Sequence, residues 1–341
     1  MGDVIHSLPA VAALRLALPQ ATFGWVIEER WVELLRCFAV GPGGDHPIRM
    51  PLANRIHLVD TKKWRGAITS VATWREMAAA ISGLRYGDYE AAVDFQGAAR
   101  SALIAYWSGA PVSYGFAQPR ENVASMFYTR QVRAKRSHVI EQNLELASAV
   151  VGRSLNNAEV DFSSEAAAET RMQQLLSEAG LGSYAIVNPG AGWGAKQWPA
   201  ERYGEVAKKI AQQTGLRSLI NVGPGEGSLA SAVEQASCGS AKALACSVTE
   251  LIAITRRARL FIGGDTGPMH LAAALGVPVI GIFGPTDPAR NGPFGTRNVV
   301  LRSPGSVTTL SHTSSQDRAM LEITPDDVVR AAVGLLEGAR G

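Results

Sequence analysis

Asp265, Thr266, Gly267 and His270 lie in FIGGDTGPMHLAAALGVPVIGIFGPTDPARNGPFG (261–295), and their types and spacing suit the binding of a diphosphate. An apolar run ends in Gly-Gly, and Asp-Thr-Gly then opens a helix that reads from about Pro268 to Leu275 and is stopped by Gly276. A helix start leaves backbone N–H groups unpartnered, its dipole favours negative charge, and glycines let a ligand approach the main chain. His270 belongs to the first turn. Asp265 taken alone fits a helix N-cap equally well; the whole arrangement favours an anion.

NPGAGWGAKQWP (188–199) repeats the order of apolar run, Gly-rich loop and helix. Lys196, the only charge in that loop, suits a second phosphate contact beside loop amides, or else a solvated lysine on a flexible turn. The stretch is no P-loop, because G-x-x-x-x-G-K-S/T is absent. GPGEGS (223–228) has the spacing G-x-G-x-G but lies deep in the second half, so it is no dinucleotide fingerprint; Glu226 there suits hydrogen bonds from ribose hydroxyls. Asp3, in MGDVIHSLPA, suits a general base taking a proton from an acceptor hydroxyl, and equally a carboxylate favoured by the dipole of an N-terminal helix. Lys62, Lys63 and Arg65 surround Trp64 in TKKWRG (61–66), and Arg130, Arg133, Lys135 and Arg136 crowd TRQVRAKRSH (129–138). Either run alone reads as a solvated loop; two in one half suggest a large anionic partner.

These residues need a scaffold that gathers loops and helix starts. The chain opens without a strand: MGDVIHSLPA runs into AVAALRLALP as a turn and a first helix. Residues 22–29, 55–60 and 90–97 then read as strands, followed by helices beginning near Arg30, over SVATWREMAAAISGL to Gly83, and over ARSALIAYWSG to Gly109. SHVIEQNLELASAVVG and SEAAAETRMQQLLSEAGLG are two further helices. A second series begins with SYAIVNPG (183–190), whose unbroken apolar run suits burial on both faces. RSLINVG, RLFIGG and VPVIGIFG continue it. PAERYGEVAKKIAQQTG sets Tyr203, Val206, Ala207, Ile210 and Ala211 on one helical face between Pro199 and Gly215. Alternation of this kind means parallel sheets with crossover helices. We expect two doubly wound α/β domains, 1–157 and 158–323, and a C-terminal helix over 324–341 with Thr324 as N-cap and Pro325 at its first position. Ligands should sit at the carboxyl ends of the strands, facing a central cleft.

The bulk numbers agree. At 341 residues, two domains are the natural expectation. A hydrophobic fraction of 46% supplies two cores, and 18% charge argues against disorder. A net charge of +3 gives no reason to expect nucleic acid. Cys37, Cys238 and Cys246 contain no C-x-x-C pair, which offers neither a disulfide framework nor a zinc pattern and fits a reducing cytoplasm. No apolar run reaches the ~18 residues of a membrane span, and the start lacks the features of a signal peptide. The expected place is the cytoplasm, with contact to a membrane surface still open.

Together MGDVIHSLPA, WVIEERW (25–31), KKWRG, VDFQGAARS (93–101), REN-ASMFY (120–128), KQWP (196–199) and DTGPMHLAAALGVPVIGIFGPTDP (265–288) resemble the ADP-heptose:lipopolysaccharide heptosyltransferases, glycosyltransferase family 9, and most of all their heptosyltransferase I branch. The resemblance spans nearly the whole chain, and the last segment is its most specific part. It implies the GT-B fold of two Rossmann-like domains. It implies inverting transfer of L-glycero-D-manno-heptose from ADP-heptose to the Kdo of Kdo2-lipid A, in the inner core of lipopolysaccharide. On the same resemblance Asp3 is the catalytic base, and Lys196, Glu226, Asp265, Thr266, Gly267 and His270 bind the donor. Lys62, Lys63, Arg65, Gln96 and Arg120 serve the acceptor. Relatives tend to carry arginines in the basic loop, and lysine there loses bidentate geometry. No cofactor, no metal and no nucleic acid are implied; a monomer is assumed, peripheral on the cytoplasmic side of the inner membrane. Relatives also carry about ten residues ahead of the MGD motif, enough for one strand and a short serine-containing loop. The expectation is therefore a start set too far downstream and a shortened form of an active enzyme, since losing a central strand removes apolar side chains worth ~1.5–3 kcal/mol each.

Other readings stay open. One is a transferase of the same family with a later, already heptosylated core acceptor or another heptose donor, which activity on Kdo2-lipid A against a heptosylated core would separate. Another is a catalytically silent ADP-sugar-binding form, which would bind the donor without turnover. An NAD-dependent oxidoreductase is poorly supported, because no G-x-G-x-x-G follows an early strand.

Overall fold

The computed structural model describes residues 1–42, 47–163, 165–309 and 318–338. The chain forms two compact units, Asp3–Ser163 and Ser164–Gly341, the latter taking in Met1–Gly2. From the N-terminus run α1 (Gly2–Ala17), β1 (Gly24–Glu28), β2 (Cys37–Gly41), β3 (Ile48–Pro51), β4 (Arg55–Val59), α2 (Thr61–Gly66) and α3 (Val71–Tyr86). β5 (Ala91–Val93), α4 (Ala99–Trp107), β6 (Val112–Phe116), β7 (Arg130–Val132), α5 (Val139–Val151) and β8 (Glu159–Phe162) complete this unit.

The alternation of runs predicts parallel sheets. The first unit instead holds three small ladders: β1 with β4 and β5-β6-β7 are parallel, whereas β2 pairs antiparallel with β3 and β8. Only residues 42–47 separate β2 from β3, fewer than the dozen or so a parallel crossover needs. Two basic segments also differ from the loops expected of them. TKKWRG is the helix α2, because the Asp60 carboxylate accepts the Lys63 N–H at 2.9 Å and caps it. Arg130–Val132 of the second run is strand β7. After β1 the chain makes a 3-10 helix over Glu29–Leu35.

The second unit comprises α6 (Ala166–Glu178), β9 (Tyr184–Asn188), α7 (Ala200–Thr214), β10 (Arg217–Val222), α8 (Gly227–Ser237), β11 (Ala241–Ala245) and α9 (Val248–Arg256). It continues with β12 (Leu260–Gly264), α10 (Gly267–Ala274), β13 (Val279–Phe283), α11 (Pro288–Asn291), β14 (Asn298–Arg302) and α12 (Pro325–Glu337). Its six strands form one parallel sheet in the order β11-β10-β9-β12-β13-β14. Every residue of β9, β12 and β13 is buried, as unbroken apolar runs require of central parallel strands. α7 buries Tyr203, Val206, Ala207 and Ile210 on one stripe and ends at Gly215 in the left-handed conformation, φ 73°. α12 starts at the expected Thr324 cap, with Asp327 completing a capping box and Pro325 in the first turn. Trp198, fully buried, stacks edge-on against Tyr203 and donates its indole N–H to the Ile323 carbonyl at 3.1 Å. All three cysteines are unpaired, so no cross-link supports either unit. Among the described residues no helix is long and apolar enough to cross a membrane.

Gly204 lies where α7 crosses α8. A Cβ there would stand 2.5 Å from the Ala236 Cβ and 2.6 Å from the Val233 carbonyl oxygen. Gly204→Ala should force the helices apart and lower the unfolding free energy by about 1–3 kcal/mol, read as a lower urea midpoint at constant m-value. A midpoint matching the parent's would show the crossing to be slack.

Candidate functional site

β9 connects to β10 on one side, and β12 returns to its other side. At such a reversal the loops leaving the strand ends lie together. The loop after β9 carries Lys196 at the end of a 3-10 turn, Gly194–Lys196. The loop after β12 consists of Asp265 and Thr266. Lys196 Nζ lies 2.5 Å from Asp265 Oδ2 and 4.1 Å from the centre of the Trp193 ring. His270 Nε2 meets the other carboxylate oxygen at 3.1 Å. The Lys196, Asp265 and His270 side chains are 10%, 8% and 6% exposed, so the Lys196–Asp265 charges act in a medium that screens little. Burial alone would push the Asp265 carboxyl up; the His270 hydrogen bond and the Lys196 charge outweigh it and hold the group far below the usual carboxylate range.

Two alternatives left open by the sequence fall here. Lys196 is no solvated lysine. Asp265 is no N-cap: Thr266 takes that position, and its side chain makes no capping bond to α10. A helix start of this kind suits an anion. Thr266 Oγ1 donates to the Gly264 carbonyl at 3.3 Å and accepts from Asn188 Nδ2 at 3.4 Å. Asn188 Oδ1 accepts from Asn221 Nδ2 at 2.7 Å, which ties β9, β10 and α10 together by side chains. Glu226 Oε2 accepts the Gly223 N–H at 2.7 Å. A Cβ on Gly190 would lie 2.2 Å from Glu226 Oε1, so only glycine lets this carboxylate settle on the loop after β9. Asn188, Asn221 and Trp193 were not singled out from sequence. The readable signal for the two asparagines is an amide side chain at or next to the carboxyl end of a strand.

The first unit joins three other candidates. Asp3, in the first turn of α1, accepts from Gln96 Nε2 at 3.0 Å and lies 3.7 Å from Arg120 Nη1. Its side chain is 56% exposed, so it is open to a reacting partner. Lys62, Lys63 and Arg65 are exposed on α2. Lys63 Nζ is held by Glu76 of α3 at 2.6 Å. Among the described residues these three cations share no hydrogen bond or ion pair with the Asp3 group. Nor is any group of three or more His, Cys, Asp and Glu side chains placed there to hold a metal ion.

A parallel sheet with a Gly-rich loop and an uncapped helix start at its reversal point defines a Rossmann-like unit. Residues 77–319 match glycosyltransferase family 9 (heptosyltransferase). Lipopolysaccharide heptosyltransferase 1 of Escherichia coli is 30% identical over 310 residues, 90% of each chain. E. coli heptosyltransferase WaaC with ADP matches with a TM-score of 0.77 at 28% identity, covering 98% of this chain and 97% of that one. WaaC with ADP-2-deoxy-2-fluoro heptose matches with a TM-score of 0.74 at 27% identity, covering 98% and 96%. The chain belongs to glycosyltransferase family 9, the heptosyltransferases, and is a glycosyltransferase of the GT-B fold.

A carboxyl whose pKa is depressed by folding adds stability that is fully present above its unfolded pKa and lost as pH falls through the folded one. Wild-type melting temperature should therefore drop steeply below about pH 4, the unfolded aspartate value. Asp265→Asn should be less stable at pH 7 and flatter below pH 4. Parallel pH curves for the two proteins would show that the Asp265 carboxylate contributes nothing to the fold.

Proposed function

We propose that the protein transfers L-glycero-D-manno-heptose from ADP-heptose to the Kdo of Kdo2-lipid A, inverting the anomeric carbon, in assembly of the lipopolysaccharide inner core. The observation that carries this reading is the buried Lys196–Asp265–His270 group beside an uncapped helix start, in a chain of the heptosyltransferase family. The matching structures hold ADP and a fluorinated ADP-heptose, and the name of the relative supports lipopolysaccharide as the product.

On this reading the second unit takes the donor and the first takes the acceptor. Amides at the start of α10 and Lys196 meet the diphosphate. An ammonium carries three N–H groups, so Lys196 can keep its bond to Asp265 and still donate to phosphate. Thr266, Gly267 and His270 complete the contact, and Glu226 accepts from ribose hydroxyls. Lys62, Lys63 and Arg65 attract the anionic acceptor, with Gln96 and Arg120 beside Asp3. Asp3 takes the proton of a Kdo hydroxyl as its oxygen attacks the anomeric carbon. The bond from that carbon to the β-phosphate oxygen breaks, and its electron pair leaves with ADP. Lys196 and the helix start, without a metal ion or cofactor, stabilise the charge growing there. The enzyme works as a monomer at the cytoplasmic surface of the inner membrane and engages no nucleic acid.

The test uses two variants. Lys196→Ala should weaken ADP-heptose binding by about 10- to 150-fold, the worth of one charge-assisted hydrogen bond at ~1.5–3 kcal/mol, measured by calorimetry. Asp3→Asn should bind ADP-heptose as the parent does and form no heptosyl product from Kdo2-lipid A in a mass-spectrometric assay. Parental donor affinity in the first variant removes the donor site; product in the second removes the base.

A further inference from the structure

Asp94 is 5% exposed and directly follows β5. Its carboxylate receives four donors, none of them charged. Oδ1 accepts the backbone N–H of Gln96 at 2.9 Å and of Gly97 at 3.2 Å. Oδ2 accepts the Ser101 hydroxyl at 2.8 Å and the Tyr128 hydroxyl at 2.6 Å. Burial, with the Asp94 charge behind it, pushes the Tyr128 phenol well above its usual range, so it stays a donor. Burying an anion among neutral donors is expensive, and shape alone does not require it. What the group achieves is order in two segments. Gln96, which donates to Asp3, has its own backbone N–H fixed on Asp94. Gly97, next on the same carboxylate, adopts φ +66°, and its carbonyl accepts the Glu121 N–H at 3.0 Å. A Cβ there would come 3.0 Å from the Arg120 backbone nitrogen and 3.1 Å from the Pro119 Cβ, so the main chain bearing Arg120 packs against this turn. Tyr128, on the same oxygen as Ser101, fixes the far end of that segment, with its ring filling the space over Gly115. Both side chains that touch the Asp3 carboxylate therefore hang from one buried acid.

We propose that Asp94 is a positioning residue for the transfer reaction, holding Gln96 and Arg120 so that they aim the Asp3 carboxylate. This rests on the reading of Asp3 as the base. The geometry of a proton acceptor decides rate steeply, and a displacement of about 1 Å can cost on the order of 100-fold. Asp94→Asn replaces one acceptor oxygen by an NH2 that faces donors. It should lower kcat about 10- to 100-fold and leave KM for ADP-heptose unchanged. Tyr128→Phe, which removes one of the four donors and keeps the ring, should give a smaller loss of the same kind. If the asparagine variant does not fold, as judged by circular dichroism and melting, Tyr128→Phe carries the comparison.

The decisive measurement repeats each substitution in a Gln96→Ala/Arg120→Ala background, with Asp3→Asn assayed alongside. If Asp94 acts through those two side chains, its replacement there should cost less than about twofold further, the usual error of additivity. The same fractional loss in both backgrounds, with Asp3→Asn inactive, overturns the positioning role and leaves the base in place. A raised KM with kcat intact overturns it too. Full turnover by Asp3→Asn overturns the base assignment, and the positioning role with it.

Discussion

A buried carboxylate must be matched by cations or by hydrogen-bond donors, or it costs more than most folds can carry. Asp265 is matched by the Lys196 cation and by a hydrogen bond with His270, and the second unit is arranged around that match. His270 comes from the helix that Asp265 precedes, but Lys196 belongs to a loop 69 residues away in sequence. The two meet because β9 and β12 are neighbours. Gly263 permits that closeness, since a Cβ there would lie 3.1 Å from the Asn188 Cβ. The lysine loop is tethered in turn by Trp198, whose indole N–H is bonded to Ile323 just before α12. The segment entering the C-terminal helix thus helps fix the loop that bears Lys196.

Asp94 and Asp265 occupy the same kind of place, each following the last residue of a buried or half-buried strand. Their partners separate their chemistry. Asp265 faces the Lys196 charge, so its loop keeps a cation beside the start of α10. Asp94 faces only neutral donors, so it organises the backbone around it. One residue type at one topological position builds an electrostatic site in one case and a scaffold in the other.

How much of this was legible in the sequence depends on the range of the contact. β9, β12, β13, α7 and α12 were readable because their signals are local: unbroken apolar runs, a 3.6-residue stripe, a Thr-Pro start and Gly215. Asp265, Thr266, Gly267 and His270 could be grouped because they are adjacent. The burial of Lys196 could not be read, since a lysine in a Gly-rich loop looks solvated until its partner from another strand end is known. The antiparallel ladder of β2, β3 and β8 was hidden for the same reason, as β8 is more than a hundred residues from β2. Gln96 and Arg120 were drawn from family resemblance, and no local pattern betrays that both touch Asp3.

The two units also differ in how their main chains are protected. In the second, β9, β12 and β13 are buried at every residue and bonded on both sides within six strands. In the first, parallel ladders of two and three strands leave Gly24, Arg55, Ile56 and Ala91 exposed. Backbone amides of β9, β12 and β13 should exchange with solvent deuterium only when the sheet opens around them, whereas those of β1, β4 and β5 need only a local opening. Warming should accordingly loosen the unit that bears Asp3 at temperatures where the six-stranded sheet of the other unit is still closed.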